Sequence, residues 1–219
     1  MDMRMGLISA PARASDLAYA ELRRLIVELE LPPGGLVNEA ALAERLGIGR
    51  MPVREALARL AQERFLTVLP RRGTVVPEVS LTGVLDMLEA VELLEAGIAA
   101  DVCRKASDSE IAELIMMFEA VDAAGRAGDY LHFLKVDHDA HVAMAEAFGN
   151  PFITPITETT LLHNLRFWRY CHRRRVLEGT HIQSHAPLIS ALQLRDGVAA
   201  EDAVRKLVTN ARGSLQGLF

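Results

Sequence analysis

In the stretch Val136-Asp137-His138-Asp139-Ala140-His141 an aspartate and a histidine stand four positions apart. On a helix this spacing puts Asp137 and His141 on one face, about 5–6 Å apart at Cβ, close enough to share one ion. The same spacing also suits a solvated surface pair. Arginines offer a second chemistry. Arg50 and Arg54 lie one turn apart at the leading end of a predicted helix, and Arg71 and Arg72 precede Gly73 in a predicted turn. Guanidinium groups placed at a helix end and a turn tip suit phosphate oxygens and base edges. They also suit a solvated face on which Arg50 and Arg54 pair with Glu44 or Glu55. The Gly47-x-Gly49 pair is no dinucleotide loop, because it follows a helical pattern rather than a strand.

The elements that must position these residues are readable from periodicity. Leu17, Leu22, Leu25, Ile26 and Leu29 predict a helix over Asp16–Leu31, with Ser15 or Asp16 as its cap, stopped by Pro32-Pro33-Gly34-Gly35. A short helix over 39–46, the turn Gly47-Ile48-Gly49 and a helix over 51–64 follow. Two β-prone runs, 65–69 and 74–76, flank Pro70-Arg71-Arg72-Gly73 and predict a small hairpin. Helix, tight turn, helix and hairpin together make a winged helix-turn-helix, whose second helix enters a major groove. From Ser80 onward only long amphipathic helices are predicted, over 80–105, 108–127, 129–148, 151–177, 181–195 and 198–216. The expected architecture is mainly α. Residues 1–78 form a winged helix-turn-helix domain with a small β-hairpin, and residues 79–219 form an all-α six-helix bundle.

Charge divides along the same line. The 219-residue chain carries a net charge of −5, but residues 1–78 hold 11 Arg and no Lys against 10 acids, leaving the acidity to the remainder. A chain that coats nucleic acid over its whole surface is excluded; one basic face on the first domain is not. No apolar run reaches the ~18 residues of a spanning helix, so no membrane partner is expected. Cys103 and Cys171 fall in helical segments and suit buried reduced thiols, which points to a cytoplasmic location. The first 14 residues read as a disordered arm rather than a signal sequence, their apolar stretch being too short.

Residues 21–76 resemble the GntR superfamily of bacterial transcription regulators. The resemblance rests on Leu22-Arg23, Ile26, Pro32-Pro33-Gly34, Leu36, Glu39, Leu42-Ala43, the run from Gly47 to Leu57, Leu60 and the Arg72-Gly73 wing. It implies DNA contacts from Arg50, Met51 and Arg54 on the reading helix and from Arg71, Arg72 and Gly73 at the wing. Three positions depart from the family pattern: Gly49 replaces a Ser or Thr, Met51 a common Thr, and Ala40 a frequent Arg. Each removes a polar contact, so the operator is expected to differ from the commonest sites and to rest on the remaining arginines. Specific binding by a near-neutral winged helix implies a homodimer on a palindromic double-stranded operator.

The second part resembles the all-helical FCD effector domain of the FadR subfamily. Asp137 and His141, the break Gly149-Asn150-Pro151, and His185 ahead of Ala191-Leu192 and Asp196 carry that resemblance. It implies that Asp137, His141 and His185 hold a divalent ion, commonly zinc, nickel or manganese in such domains. The family's fourth ligand is a later histidine. Counting without a gap lands on Leu207, and allowing three extra residues in the preceding turn lands on Asn210, which is taken as the expected position. Val91 stands where many members place an Arg four residues before Glu95. Arg166 and Arg169 are candidate substitutes for binding effector, and His163 a candidate cavity residue. The implied function is a one-component regulator, a repressor by preference, that answers a small carboxylate metabolite and is not an enzyme. The alternatives are a metal-dependent enzyme built on Asp137, His141 and His185, and a DNA-binding regulator whose helical domain only dimerises.

Overall fold

Capping chemistry sets most element ends in the computed structural model, which describes residues 13–175 and 182–215. In the first unit, helix α1 runs over Ala14–Val27, α2 over Glu39–Leu46 and α3 over Arg50–Gln62. The Ala40 and Ala41 amides donate to Asn38 Oδ1, satisfying two of the orphan donors at the start of α2. Gly47 ends that helix in the left-handed region, at φ 65°. The cap expected at Ser15 or Asp16 is not observed. Helix α1 begins earlier, behind Arg13, and Asp16 sits in its first turn, where it pairs with Arg59 at 2.8 Å. The helix also stops at Val27 rather than Leu31, because Leu29 turns to φ 61°.

Strands β1 (Thr67–Leu69) and β2 (Gly73–Val75) pair antiparallel, with Val68 opposite Thr74. Arg71 and Gly73 both take positive φ at the tip, a conformation that glycine adopts without the penalty a Cβ brings. The segment before α2 adds to this sheet, Leu36 bridging Val75 and the Val37 amide donating to the Thr74 carbonyl. Leu22, Leu25, Ile26, Val53, Ala56, Leu60 and Phe65 are fully buried between α1, α3 and the hairpin base. Burying a large apolar side chain contributes roughly 1.5–3 kcal/mol, and this small core holds the reading helix in place.

The chain divides between Glu78 and Val79, and the second unit is built from helices alone among the described residues. They are α4 (Leu81–Lys105), α5 (Asp108–Ala127), α6 (Tyr130–Phe148), α7 (Thr154–Arg174), α8 (Ala186–Leu194) and α9 (Gly197–Gly213). Six helices match the expected bundle, though α7 and α8 are shorter; residues 176, 177, 181 and 216 of the expected spans lie outside the described residues, as does nearly all of the expected N-terminal arm. Ser107 and Glu110 form a reciprocal capping box at the start of α5, and Asp129 and Asp196 cap α6 and α9. Helix α4 lies along α9 and also touches α6 and α7, while α5 packs on α6 and α8. Phe118, Leu88, Ile98, Met144, Leu188 and Leu192 fill the centre.

Candidate functional site

On the first unit the predicted contact residues are all exposed. Arg50 begins α3, Met51 is 61% exposed beside it, and Arg54 follows one turn on. Arg71, Arg72 and Gly73 are exposed at the hairpin tip. Arg54 pairs with Glu39, not with Glu44 or Glu55, its Nη2 and Nε donating to Glu39 Oε2 at 3.0 and 3.2 Å. The Arg54 side chain is largely in solvent and Glu39 partly so, and a pair this accessible is worth about 0–1 kcal/mol, so the guanidinium is readily exchanged onto a phosphate or base edge.

In the second unit Asp137, His141 and His185 converge. Their ligand atoms lie within 4.8 Å of one another. Helix α6 supplies Asp137 and His141 from consecutive turns, and His185 stands at the leading end of α8. The two imidazole Nε2 atoms are 3.4 Å apart; Asp137 Oδ1 is 3.3 Å from His185 Nε2 and 3.9 Å from His141 Nε2. Ligands at ~2.0–2.1 Å in a tetrahedral arrangement are separated by about 3.4 Å, so this triangle fits a divalent transition ion with a coordination position left open. His141 and His185 are 8% and 3% exposed, well below what a solvated surface pair would show.

Each imidazole is backed by a carboxylate. His141 Nδ1 lies 2.6 Å from Glu95 Oε1 on α4, and His185 Nδ1 lies 3.3 Å from Asp122 Oδ1 on α5. Asp122 is itself held by the His185 amide and the Ser184 hydroxyl, each donating at 2.8 Å. A carboxylate on Nδ1 fixes the tautomer that leaves Nε2 as the ligand and makes that nitrogen more basic. Phe118 stacks on His185 at 5.2 Å and meets His141 edge-on. Burial works against the His141 imidazolium, but Glu95 and then Asp137 outweigh it and hold the group up at about 9. Burial lowers His185, whose neutral ring is the form that binds metal.

Beside the cluster is a cavity of about 80 Å³. Its wall includes Leu88, Val91 and Glu95 from α4, Asn164 and Trp168 from α7, Gln183, and Leu207 from α9. Three sequence expectations need correcting. Asn210 is exposed and does not face the cavity; Leu207, the position reached by counting without a gap, does. No extra residue enters the turn before α9, which its aspartate cap closes at once. Arg166 is buried in α7 without lining the cavity, and His163 is half-buried away from it, because helical phase turns Asn164 and Trp168 inward instead. Sequence reasoning noted Glu95 without giving it a role, and it missed Asp122, Asn164 and Gln183. A carboxylate backing a histidine from another helix leaves no mark in local spacing.

The two units thus define a winged-helix DNA-binding module and an all-helical domain with an enclosed site. Residues 14–76 match the family model of bacterial regulatory proteins of the gntR family, and residues 86–210 match the FCD domain. The chain belongs to the GntR-type regulators that carry an FCD domain, an architecture that fits the FadR-like subfamily. It is 29% identical over 180 residues to the Nta operon transcriptional regulator of Aminobacter aminovorans, covering 80% of this chain and 83% of that one. It is 26% identical to the HTH-type transcriptional repressor RspR of Escherichia coli strain K12, over 85% of this chain and 82% of the relative. It is also 26% identical to the transcriptional regulator LutR of Bacillus subtilis, over 87% and 95%. The solved structure of E. coli McbR/YncC has the same fold, with a TM-score of 0.79 at 22% identity over 94% of this chain and 98% of that one. The protein is a DNA-binding transcription regulator with an effector domain, and its family are not enzymes. No helix among the described residues is long and apolar enough to cross a membrane.

Proposed function

We propose that this regulator works as a homodimeric repressor. Paired winged helices hold a palindromic operator, and a small carboxylate metabolite in the helical domain releases it. Arg50 and Arg54 read base edges or adjacent phosphates, Met51 offers an apolar contact to a thymine methyl, and Arg71, Arg72 and Gly73 approach the backbone from the wing. The reading of the helical domain rests on one observation: two buried imidazole Nε2 atoms and one carboxylate face a common point, with a second carboxylate behind each imidazole. Asp137, His141 and His185 would hold a divalent ion such as zinc, nickel or manganese, which supplies a Lewis-acidic anchor for the effector's carboxylate. Leu207 has no ligand atom to offer in place of a fourth histidine, so a coordination position would stay open for that carboxylate. The buried thiols of Cys103 and Cys171 and a DNA target agree with a cytoplasmic site of action.

Effector binding changes operator affinity only through unequal affinity for two states of the protein, so both halves are tested together. Protein purified without chelator should carry about one divalent ion per chain by elemental analysis, and His185→Ala should lose it. Operator fragments selected from a random pool should show two-fold symmetry, and a carboxylate that stabilises the metal-loaded protein should weaken their retention. A metal-free protein with no thermal shift from any carboxylate would reduce the helical domain to a dimerisation module.

A further inference from the structure

Helix α4 buries one face against α6, α7 and α9 and leaves the opposite face open. Leu88, Glu95 and Val102 lie on the buried side, while Asp86, Leu93, Gly97 and Arg104 are exposed on the other. At 3.6 residues per turn these four fall within about 40° of one another around the helix. Leu93 stands at the middle of α4 and is 69% exposed. Gly97 follows one turn later, and no contact within the described chain calls for glycine there, because a Cβ would meet open space. Glycine weakens a helix interior, so the chain carries that cost with no return inside the protomer. A large apolar side chain and a hollow of its own making thus lie next to each other on one uncovered face.

The order of residues on this face is self-complementary. Asp86 precedes Leu93 by the same seven positions that separate Gly97 from Arg104. A second copy of α4 laid antiparallel, with a two-fold axis at the level of Glu95, sets Leu93 over the partner's Gly97 and Asp86 against the partner's Arg104, each contact being made twice. Charge runs the same way. The leading half of the face carries Asp86 and Glu89, neither of them in an ion pair among the described residues. The trailing half carries Arg104, which leans on Asp101 with its side chain still 65% exposed; a guanidinium has donors enough for two carboxylates. Met116 is comparably exposed on α5, but Glu113 and Glu119 flank it at three positions on either side, and acids alone would repel in a self-pairing. We propose that the open face of α4 is the contact between two copies of this chain, with the two helices antiparallel, Leu93 seated on Gly97 and Asp86 paired to Arg104 across the axis. This rests on the homodimeric reading above and assigns the surface that makes it.

Analytical ultracentrifugation of the full chain tests the proposal, with the helicity of every variant checked by circular dichroism. The wild-type protein should sediment as a dimer at micromolar concentration. Leu93→Arg changes a side chain that its own fold leaves exposed, and it should raise the dimer dissociation constant roughly tenfold or more. Asp86→Arg and Arg104→Asp should each do the same alone, because each sets like charges together at both ends of the helix pair. Mixed in equal amounts, those two variants should recover dimers of about wild-type affinity, since each chain then offers the other the opposite charge at both ends. A wild-type dimer whose dissociation constant is unchanged by Leu93→Arg, or a mixture no tighter than its two components, would overturn the α4 contact and leave the homodimer standing on another surface. A wild-type chain that stays monomeric would overturn the homodimer and this contact with it.

Discussion

Glu95 and His141 show how one buried contact governs both a binding site and a titration. The carboxylate 2.6 Å from Nδ1 keeps the ring oriented and its Nε2 basic. Glu95→Gln preserves the shape but removes the charge, and it is expected to weaken divalent-metal binding by about 10–100-fold, measured by competition with a chromophoric chelator. In metal-free protein the same pair makes stability depend on pH. The folded state holds the His141 proton more tightly than the unfolded chain does, at about 9 against an ordinary 6.5. The resulting stabilisation is complete below pH 6.5 and is lost as pH rises through about 9, with an upper limit of about 3 kcal/mol. Urea denaturation of chelator-treated protein should show this decline, and His141→Gln should flatten it.

Helix ends and close approaches decide whether those residues meet. Gly197 opens α9 where it comes up against α4, and a Cβ there would lie 2.8 Å from the Ala100 carbonyl oxygen. The Arg195 guanidinium reinforces the same junction by donating to the Cys103 and Ala106 carbonyls at the end of α4, at 3.2 and 2.8 Å. Gly197→Val should therefore force α9 away from α4 and cost roughly 1–3 kcal/mol in urea denaturation. Leu88, Val91 and Glu95 face the cavity from α4 and Leu207 and Val208 from α9, so the variant should also loosen metal binding from a distance. A stability loss with metal affinity unchanged would show that the site tolerates movement of α9.

Charge distribution operates at the level of the whole chain. A net charge of −5 gives no general attraction to DNA, so operator affinity must come from a few exposed arginines on the first unit. In a two-fold complex, removing one phosphate-contacting arginine per chain removes two contacts. Arg71→Ala or Arg72→Ala should then lower the slope of log affinity against log salt by about 2 while sparing base preference. Arg50→Ala and Arg54→Ala should instead relax the selected sequence, at about 1–3 kcal/mol per lost base contact. A salt slope and sequence preference unchanged by all four substitutions would place the DNA interface elsewhere.

The linear sequence was enough to establish the winged helix, the six-helix bundle and the Asp137–His141 pair, because caps, glycine stops and helical periodicity are local and survive in one dimension. Resemblance added His185. What only the folded chain decided was which distant side chains close around that pair. Glu95 and Asp122 reach the histidines from other helices, Leu207 rather than Asn210 faces inward, and Asn164 and Trp168 displace Arg166 and His163 from the cavity wall. Those outcomes depend on the rotational phase with which helices pack, and phase is fixed by interlocking side chains far apart along the chain.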